Sequence, residues 1–388
     1  MSKVFIEETT LSAIGNAIRE KTGKTDLIAP GTMPNEIRAI ETGGGGSIEV
    51  EPIVLTGDQE KGCANDMCET YIKLFGNTIT TKDITRAVKM FDGRTTLETI
   101  PFDINMSSSA SSTDINTIFN NCNKLKTLPY IYNAKPTAWN YMFAGCQNLR
   151  EIPEDYLDTW NFTNIDNATS NYAGHSGFIF NGCYSLRKFP MEILKHTNPK
   201  IATYTYSIYY CTFSYCKSLD EIIGMPLHKY VNTTNAFYGI VGGCARLKNF
   251  TFETNEDGSP IVFEWKGQTV ELNDLGYASS VSAFDNLPYS GITREKYVSD
   301  DATYQALKND PDWWTDKKEY SRYNHDSAVA TINSLPDTSA YLASSGGATN
   351  IIKFKGELGS LTDGGAINTL TEEEIAVATA KGWTVSLY

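Results

Sequence analysis

The stretch FNNCNKLKTLP at residues 119–129 returns as FAGCQNLREIP at 143–153 and as FNGCYSLRKFP at 180–190. Each copy spells Phe-x2-Cys-x2-Leu-x2-apolar-Pro. Phe213-Cys216-Leu219-Ile222 and Val241-Cys244-Leu247-Phe250 continue the unit without the closing proline. Phe91-Leu97-Ile100-Pro101 opens it with Arg94 in the cysteine slot. Self-similarity at a fixed spacing predicts an α/β repeat, a solenoid in which each unit buries its apolar face against the next. Such an array argues for a binding surface before it argues for catalysis.

The starts at Phe91, Phe119, Phe143, Phe180, Phe213 and Val241 lie 28, 24, 37, 33 and 28 residues apart. Leucine-rich repeats run about 20–29 residues, so the longer gaps hold insertions, which leave a repeat array as loops on one face. The inserted stretches, TWNFTNIDNATSNYAGHSG and HTNPKIATYTYSIYY, are polar and aromatic. Within the unit, Phe fills the interior and stacks on its neighbours. A Gly or Asn just before the cysteine (Asn121, Gly145, Gly182, Gly243) allows a left-handed residue that ends a short turn. Leu and the next apolar residue feed a short strand. Pro closes it where no ladder donor is needed.

Five of the eight cysteines hold one slot in successive units. A slot repeated in this way is a small packing position, where a free thiol behaves as a compact hydrophobe rather than half of a disulfide. Cys63 and Cys68 stand outside the array, with neither a second pair nor a nearby His to make a zinc site. No metal and no cofactor is expected.

Around the array the chain divides into an N-terminal helical anchor (1–42), a Gly-rich linker (43–47), a cap (48–90), the repeats (91–250), degenerate repeats with strands (251–325) and an α/β C-terminal cap (326–388). In the anchor, Leu11, Ile14 and Ile18 fall at helical spacing, and Met33 and Ile37 follow Pro30. In the cap, Ile48-Val50-Ile53-Leu55 alternates as a strand, and DITRAVKMF (83–91) reads as an amphipathic helix. In the degenerate region TFETN and IVFEWKGQTVEL read as strands about the turn Asp257-Gly258. Phe284-Leu287-Pro288 reads as a vestigial unit, and TYQALKNDPDWW as a helix. Near the end, Ala328, Ile332 and Leu335 mark a helix. Residues 351–355 read as a strand. Thr371 with Glu374 spells a capping box, Gly382 stops that helix, and Trp383-Val385-Leu387 forms a last strand.

A net charge of −13 and the absence of a Lys/Arg cluster argue against nucleic acid and against anionic lipid. No apolar run approaches the roughly 20 residues that span a bilayer, so no membrane insertion is expected. The N-terminus lacks the apolar core of a secretory signal, which places the chain in the cytoplasm where it is made, to leave by assembly or lysis.

The repeat unit resembles the BspA-type leucine-rich repeat. The opening Leu11-x2-Ile14-x2-Ala17-Ile18-Arg19-x-Lys21-Thr22-Gly23, followed by Pro30-x2-Met33-x3-Ile37, resembles the start of many tail-associated proteins from phages of Gram-positive gut bacteria. Residues from Asn368 to Val385 resemble the closing segment of phage proteins that carry such repeats. The resemblance implies a virion structural protein, a tail fibre or receptor-binding protein, assembled in the host cytoplasm and released by lysis. A head fibre or capsid decoration protein is the second reading, a polysaccharide depolymerase the third, a bacterial surface adhesin the fourth. The partners implied are other virion proteins through the N-terminal unit, a host surface glycan or protein, and further copies of the chain, with a trimer among the options.

Catalysis finds little support. His175, His196, His228 and His325 show no metal spacing, and no nucleophile elbow or phosphate loop is present. A pair of carboxylates for glycoside hydrolysis is defined by the fold and stays open at this point. Asp58, Glu60, Asp66 and Glu69 lack the spacing of a calcium loop. The chain is therefore read as non-enzymatic. Trp139, Trp160, Tyr172, His175, Tyr204, Tyr206 and Tyr210 gather in or beside the insertions and are the candidate receptor contacts, because Tyr and Trp offer broad amphipathic area at low entropic cost.

Overall fold

The computed structural model describes residues 53–60, 66–168, 177–197, 209–229, 236–244, 247–272, 325–342, 346–354 and 370–387, together with Gly15, Asn16, Arg19 and Ser344. The anchor residues Leu11, Ile14, Ile18, Met33 and Ile37, the unit at Phe284 and the stretch TYQALKNDPDWW lie outside the described residues.

Short parallel strands and few helices make up the described chain. Strand β1 (Ile53–Asp58) leads to helix α1 (Asp66–Phe75), and β2 (Ile79–Arg86) returns parallel to β1. Short strands β3 (Ile104–Asn105) and β4 (Ile131–Tyr132) pair in parallel, as do β5 (Glu221–Met225) and β6 (Asn249–Phe252). Single parallel bridges, Ile84 to Met106 and Glu151 to Lys188, carry the same direction between other neighbours. Strand β2 corrects the helix expected over DITRAVKMF. Its β-branched residues Ile79, Thr80, Thr81, Ile84 and Thr85 fit a pleated edge better than a helix. Asp83 takes a positive φ of 51° beside a register shift, so Ile79, Thr81 and Ile84 all turn inward despite their uneven spacing.

The six units lie one on another. Phe91, Phe119, Phe143, Phe180 and Phe213 form a column of nearly parallel rings, with centroids 5.8, 6.0, 5.8 and 5.5 Å apart. All five are buried, as is Val241 in the sixth place. Beside the column run backbone rungs. The N–H two before the Phe slot, the N–H of the slot itself and the N–H two after it each donate to a carbonyl of the next unit. In the first unit these are Lys89 to Asn116, Phe91 to Ile118 and Gly93 to Asn120, at 3.1, 2.9 and 2.8 Å. The same three rungs recur at all five junctions, the last joining Cys211, Phe213 and Tyr215 to Tyr238, Ile240 and Gly242.

Aligning these N–H groups requires left-handed backbone twice per unit. The first position holds Lys89, Thr117, Tyr141, Phe178, Cys211 and Gly239, all with φ between 51° and 62°. The second holds Gly93, Asn121, Gly145, Gly182, Tyr215 and Gly243, with φ between 59° and 74°.

The cysteines add a rung of their own. Sγ of Cys122, Cys146, Cys183, Cys216 and Cys244 lies 2.9–3.2 Å from the Phe carbonyl of the preceding unit. Burial pushes the thiols of Cys122, Cys146, Cys183 and Cys216 well up from their ordinary pKa, so they stay protonated and donate S–H. Arg94 fills the slot in the first unit, where no earlier Phe carbonyl exists. It lies 3.9 Å from buried Glu69 of α1, which also accepts from the Thr96 side chain.

The far end is packed by α2 (His325–Ser334), which lies on β6. The Thr331 hydroxyl donates to the Phe250 carbonyl, and the Phe252 N–H donates to the Ser334 hydroxyl at 3.0 Å. A parallel sheet in the order β7 (Thr269–Leu272), β8 (Asn350–Phe354), β9 (Trp383–Leu387) follows, with α3 (Glu372–Ala380) crossing between β8 and β9. The Thr371–Glu374 capping box forms as expected, and Gly382 turns the chain at φ 83°. Asp257-Gly258 also makes its turn, but strand pairing beyond it is confined to single bridges until β7.

Three outcomes test this packing. Phe143→Ala opens a void in the middle of the ring column and should cost about 3–5 kcal/mol in chemical denaturation, the usual range for a buried aromatic. Gly145→Ala should cost more than Gly93→Ala, although both glycines sit at φ 74°. A methyl at 145 would stand 2.6 Å from Asn121 Oδ1 and 3.2 Å from its Cα, whereas at 93 it meets nothing. Equal losses in a denaturant titration would refute that contact. The third concerns His325, whose Nε2 lies 3.0 Å from Glu374 Oε2. That hydrogen bond raises the imidazole above its ordinary 6.5, while the Thr371 backbone N–H first, and His325 after it, hold Glu374 low. A raised histidine stabilises fully below 6.5 and loses its effect as pH climbs through the folded value. His325→Gln should therefore lower stability near pH 5 and leave it unchanged near pH 9, and an NMR titration of His325 should have its midpoint above 6.5.

Candidate functional site

The outward side of the left-handed segment carries a second column of rings. Tyr141 stacks on Phe178 at 4.7 Å with the planes 8° apart. Phe178 meets Tyr210 at 5.3 Å and 59°, and Tyr210 stacks on Tyr238 at 5.4 Å and 24°. Tyr141 is 36% exposed and Tyr238 52%, while Phe178 and Tyr210 are half-buried. These residues come from the positions two and three before the Phe slot, in units three to six. Tyr215, two after the slot and 53% exposed, lies over Gly243 of the following unit. Four after the slot, the Lys217 ammonium sits 4.8 Å from the centre of the Tyr184 ring of the preceding unit, a cation–π rung.

The sequence candidates divide. Tyr210 belongs to this column. Trp139 and Trp160 do not reach the surface, at 0% and 8% exposure, and this corrects their assignment as receptor contacts. Trp139 packs against Trp160, Phe162 and His196 with centroids 6.3, 5.4 and 6.5 Å away. The Trp160 indole N–H donates to the Ile131 carbonyl at 2.6 Å. The physical reason is register: Trp139 stands four before the slot, a position that faces the core, and Trp160 packs on it and on Tyr156. Tyr172, His175, Tyr204 and Tyr206 lie outside the described residues. Tyr209 is fully buried, with its hydroxyl on the Pro226 carbonyl.

Four surface aromatics, Tyr141, Phe178, Tyr215 and Tyr238, are not among the contacts expected from the sequence. The missing signal was register. The position four before the slot is buried wherever it is described, as Ala87, Ile115, Trp139, Tyr209 and Phe237. Aromatic residues two or three before the slot instead include the outward ones.

His196 and His228 serve packing. His196 lies flat on Phe162 at 3.7 Å, with Nδ1 2.8 Å from Asp166 and Nε2 3.3 Å from Glu192. His228 is buried against the Leu194 carbonyl, and desolvation lowers its pKa, keeping it neutral. Glu60 is bound to Arg86, and Glu69 to Thr96 and Arg94, so neither is left as a calcium ligand. Among the described residues no cluster of three or more His, Cys, Asp or Glu has metal-binding geometry, and no helix is long and apolar enough to cross a membrane. What this surface offers is edge-on aromatic area and hydroxyls along a rigid backbone, which suits contact with a partner. No protein-family model, curated protein or solved structure matches this chain.

Proposed function

We propose that this chain is a non-enzymatic virion protein of a phage, a tail fibre or receptor-binding protein built on a BspA-type leucine-rich-repeat solenoid. The observation that carries the reading is the outward column of Tyr141, Phe178, Tyr210 and Tyr238. A host glycan or envelope protein would be met along this column. The N-terminal unit attaches the protein to other virion components or to further copies of itself. Many modest contacts, repeated over the copies on a particle, give avidity without a deep pocket.

The test is binding of the purified full chain to envelopes of the cells that the particle infects. The Tyr210→Ser, Tyr238→Ser double variant should bind about tenfold or more weakly, the scale of a hot-spot loss, while its thermal melt falls by only the few degrees that two lost ring contacts account for and it stays folded at the assay temperature. Unchanged binding by the folded variant would overturn the reading. Deleting residues 1–46 should separately abolish incorporation into particles.

A further inference from the structure

Charge is spread unevenly over the array. The position seven after the Phe slot is charged in all six units, as Glu98, Lys126, Arg150, Arg187, Asp220 and Lys248. Around the slot the pattern reverses. From three before it to two after it, units three to six read NYMFAG (140–145), GFIFNG (177–182), YCTFSY (210–215) and YGIVGG (238–243), without one charged residue. The side chains of this strip that reach solvent are Tyr, Phe, Asn and one Cys, with glycines among them. Lys89 and Asp92 stand at matching places in the first unit, and Lys89 has φ 55° against 51° at Cys211. The backbone therefore accepts a charge here, yet four units in succession carry none.

Depletion of charge together with exposed Tyr is the mark of the core of a protein–protein contact; the rest of a protein surface keeps its Lys, Glu and Asp. Tyr with Asn and Gly is also the composition of antibody contact loops, where rigid rings supply area and small polar residues adapt to a partner's backbone. Ring geometry separates a polypeptide from a polysaccharide. A sugar offers its C–H groups to the negative face of an aromatic ring. Within the column those faces are turned on one another: Tyr141 lies on Phe178 at 4.7 Å and 8°, and Tyr210 on Tyr238 at 5.4 Å and 24°. What is left outward is the ring edge, which is positive and meets carbonyl oxygens and the faces of other rings. An anionic wall polymer would call for Lys or Arg along the strip, and units three to six have none there.

We propose that the occupant of the column is a protein of the host envelope, engaged through an uncharged, apolar stretch, and not a glycan. The proposal rests on the reading of the column as the host-contact surface. Tyr215 and Tyr238, 53% and 52% exposed, present hydroxyls that can donate to the partner's backbone carbonyls. No ion on this side has to shed its water when such a partner closes over the strip.

Binding of the full chain to envelopes of the cells that the particle infects tests it, with one sample digested by proteinase K and another oxidised by periodate. Digestion should weaken binding by about tenfold or more, and periodate should leave it within about twofold. Binding that survives digestion overturns the proposal; if periodate then abolishes it, the occupant is a glycan and the host-contact reading stands. Loss to both treatments also overturns it, since sugar is then part of the contact. No binding to untreated envelopes, or binding indifferent to the Tyr210→Ser, Tyr238→Ser change, sinks the host-contact reading and the proposal with it. Charge gives a second readout. Cys211→Lys and Cys211→Glu, in the row where Lys89 shows that a long charged side chain fits, should each weaken binding about fivefold or more, because a charge of either sign is covered without a counterpart. Tighter binding by Cys211→Lys marks an anionic partner and overturns the proposal.

Discussion

Everything in the stack depends on the three backbone rungs at each junction. They exist only because the chain turns left-handed twice per unit, so that every second N–H points along the stack. For a non-glycine residue that conformation costs roughly 1–2 kcal/mol. Thr117, Tyr141, Phe178 and Tyr215 all adopt it, and the branched or bulky ones do so rarely elsewhere. One hydrogen bond returns about 0.5–1.5 kcal/mol net, so a single rung does not offset the strain it needs. Three rungs, a thiol donor and a buried ring together do. A unit is therefore stable only with neighbours, and its backbone geometry belongs to the junction rather than to the local sequence.

The same logic explains the exceptions at the first and sixth units. A cysteine at position 94 would have no preceding Phe carbonyl to receive its S–H. Arg94 instead turns toward the Glu69 carboxylate of α1, tying the cap to the first unit through a buried pair. Such pairs return little net stability, because both ions lose hydration, but they punish a wrong arrangement. The pair thus serves to fix where the stack begins. At the other end, α2 closes the strand side through Thr331 and Ser334, both bonded to the backbone of β6. One end is fixed by charge and the other by hydroxyls, in each case by side chains that answer a specific unmade backbone or slot partner.

Much of the unit was legible in the sequence because its buried side chains recur at fixed spacing. The cysteine slot was readable as packing; its S–H rung was not, since spacing does not reveal which carbonyl lies opposite. The left-handed residue before the cysteine was signalled by glycine and asparagine. The second left-handed position was invisible, because Lys89, Thr117 and Phe178 carry no such mark. Residues 83–91 were misread because Ile84, Ala87, Val88 and Phe91 happen to fall at helical spacing. There a strand runs into a turn, and the bulge at Asp83 removes the alternation that would have shown it. On the surface, register rather than residue chemistry decides which rings face out. Trp139 and Tyr210 look alike as contact residues, yet one sits four before the slot, facing in, and the other three before it, facing out.

That register also bears on whether the outward rings are there for stability. The position two before the slot keeps the same backbone in six units while its side chain runs Lys89, Thr117, Tyr141, Phe178, Cys211, Gly239. A lysine, a threonine and a glycine satisfy the geometry, so neither the rungs nor the core calls for an aromatic there. The rings at 141 and 178, and those at 210 and 238 one residue earlier, occupy units three to six. Stacking on one another returns about 0.5–1.5 kcal/mol per pair, which repays part of the cost of exposing them. A column that the fold tolerates without needing is better explained by what it touches than by what it supports.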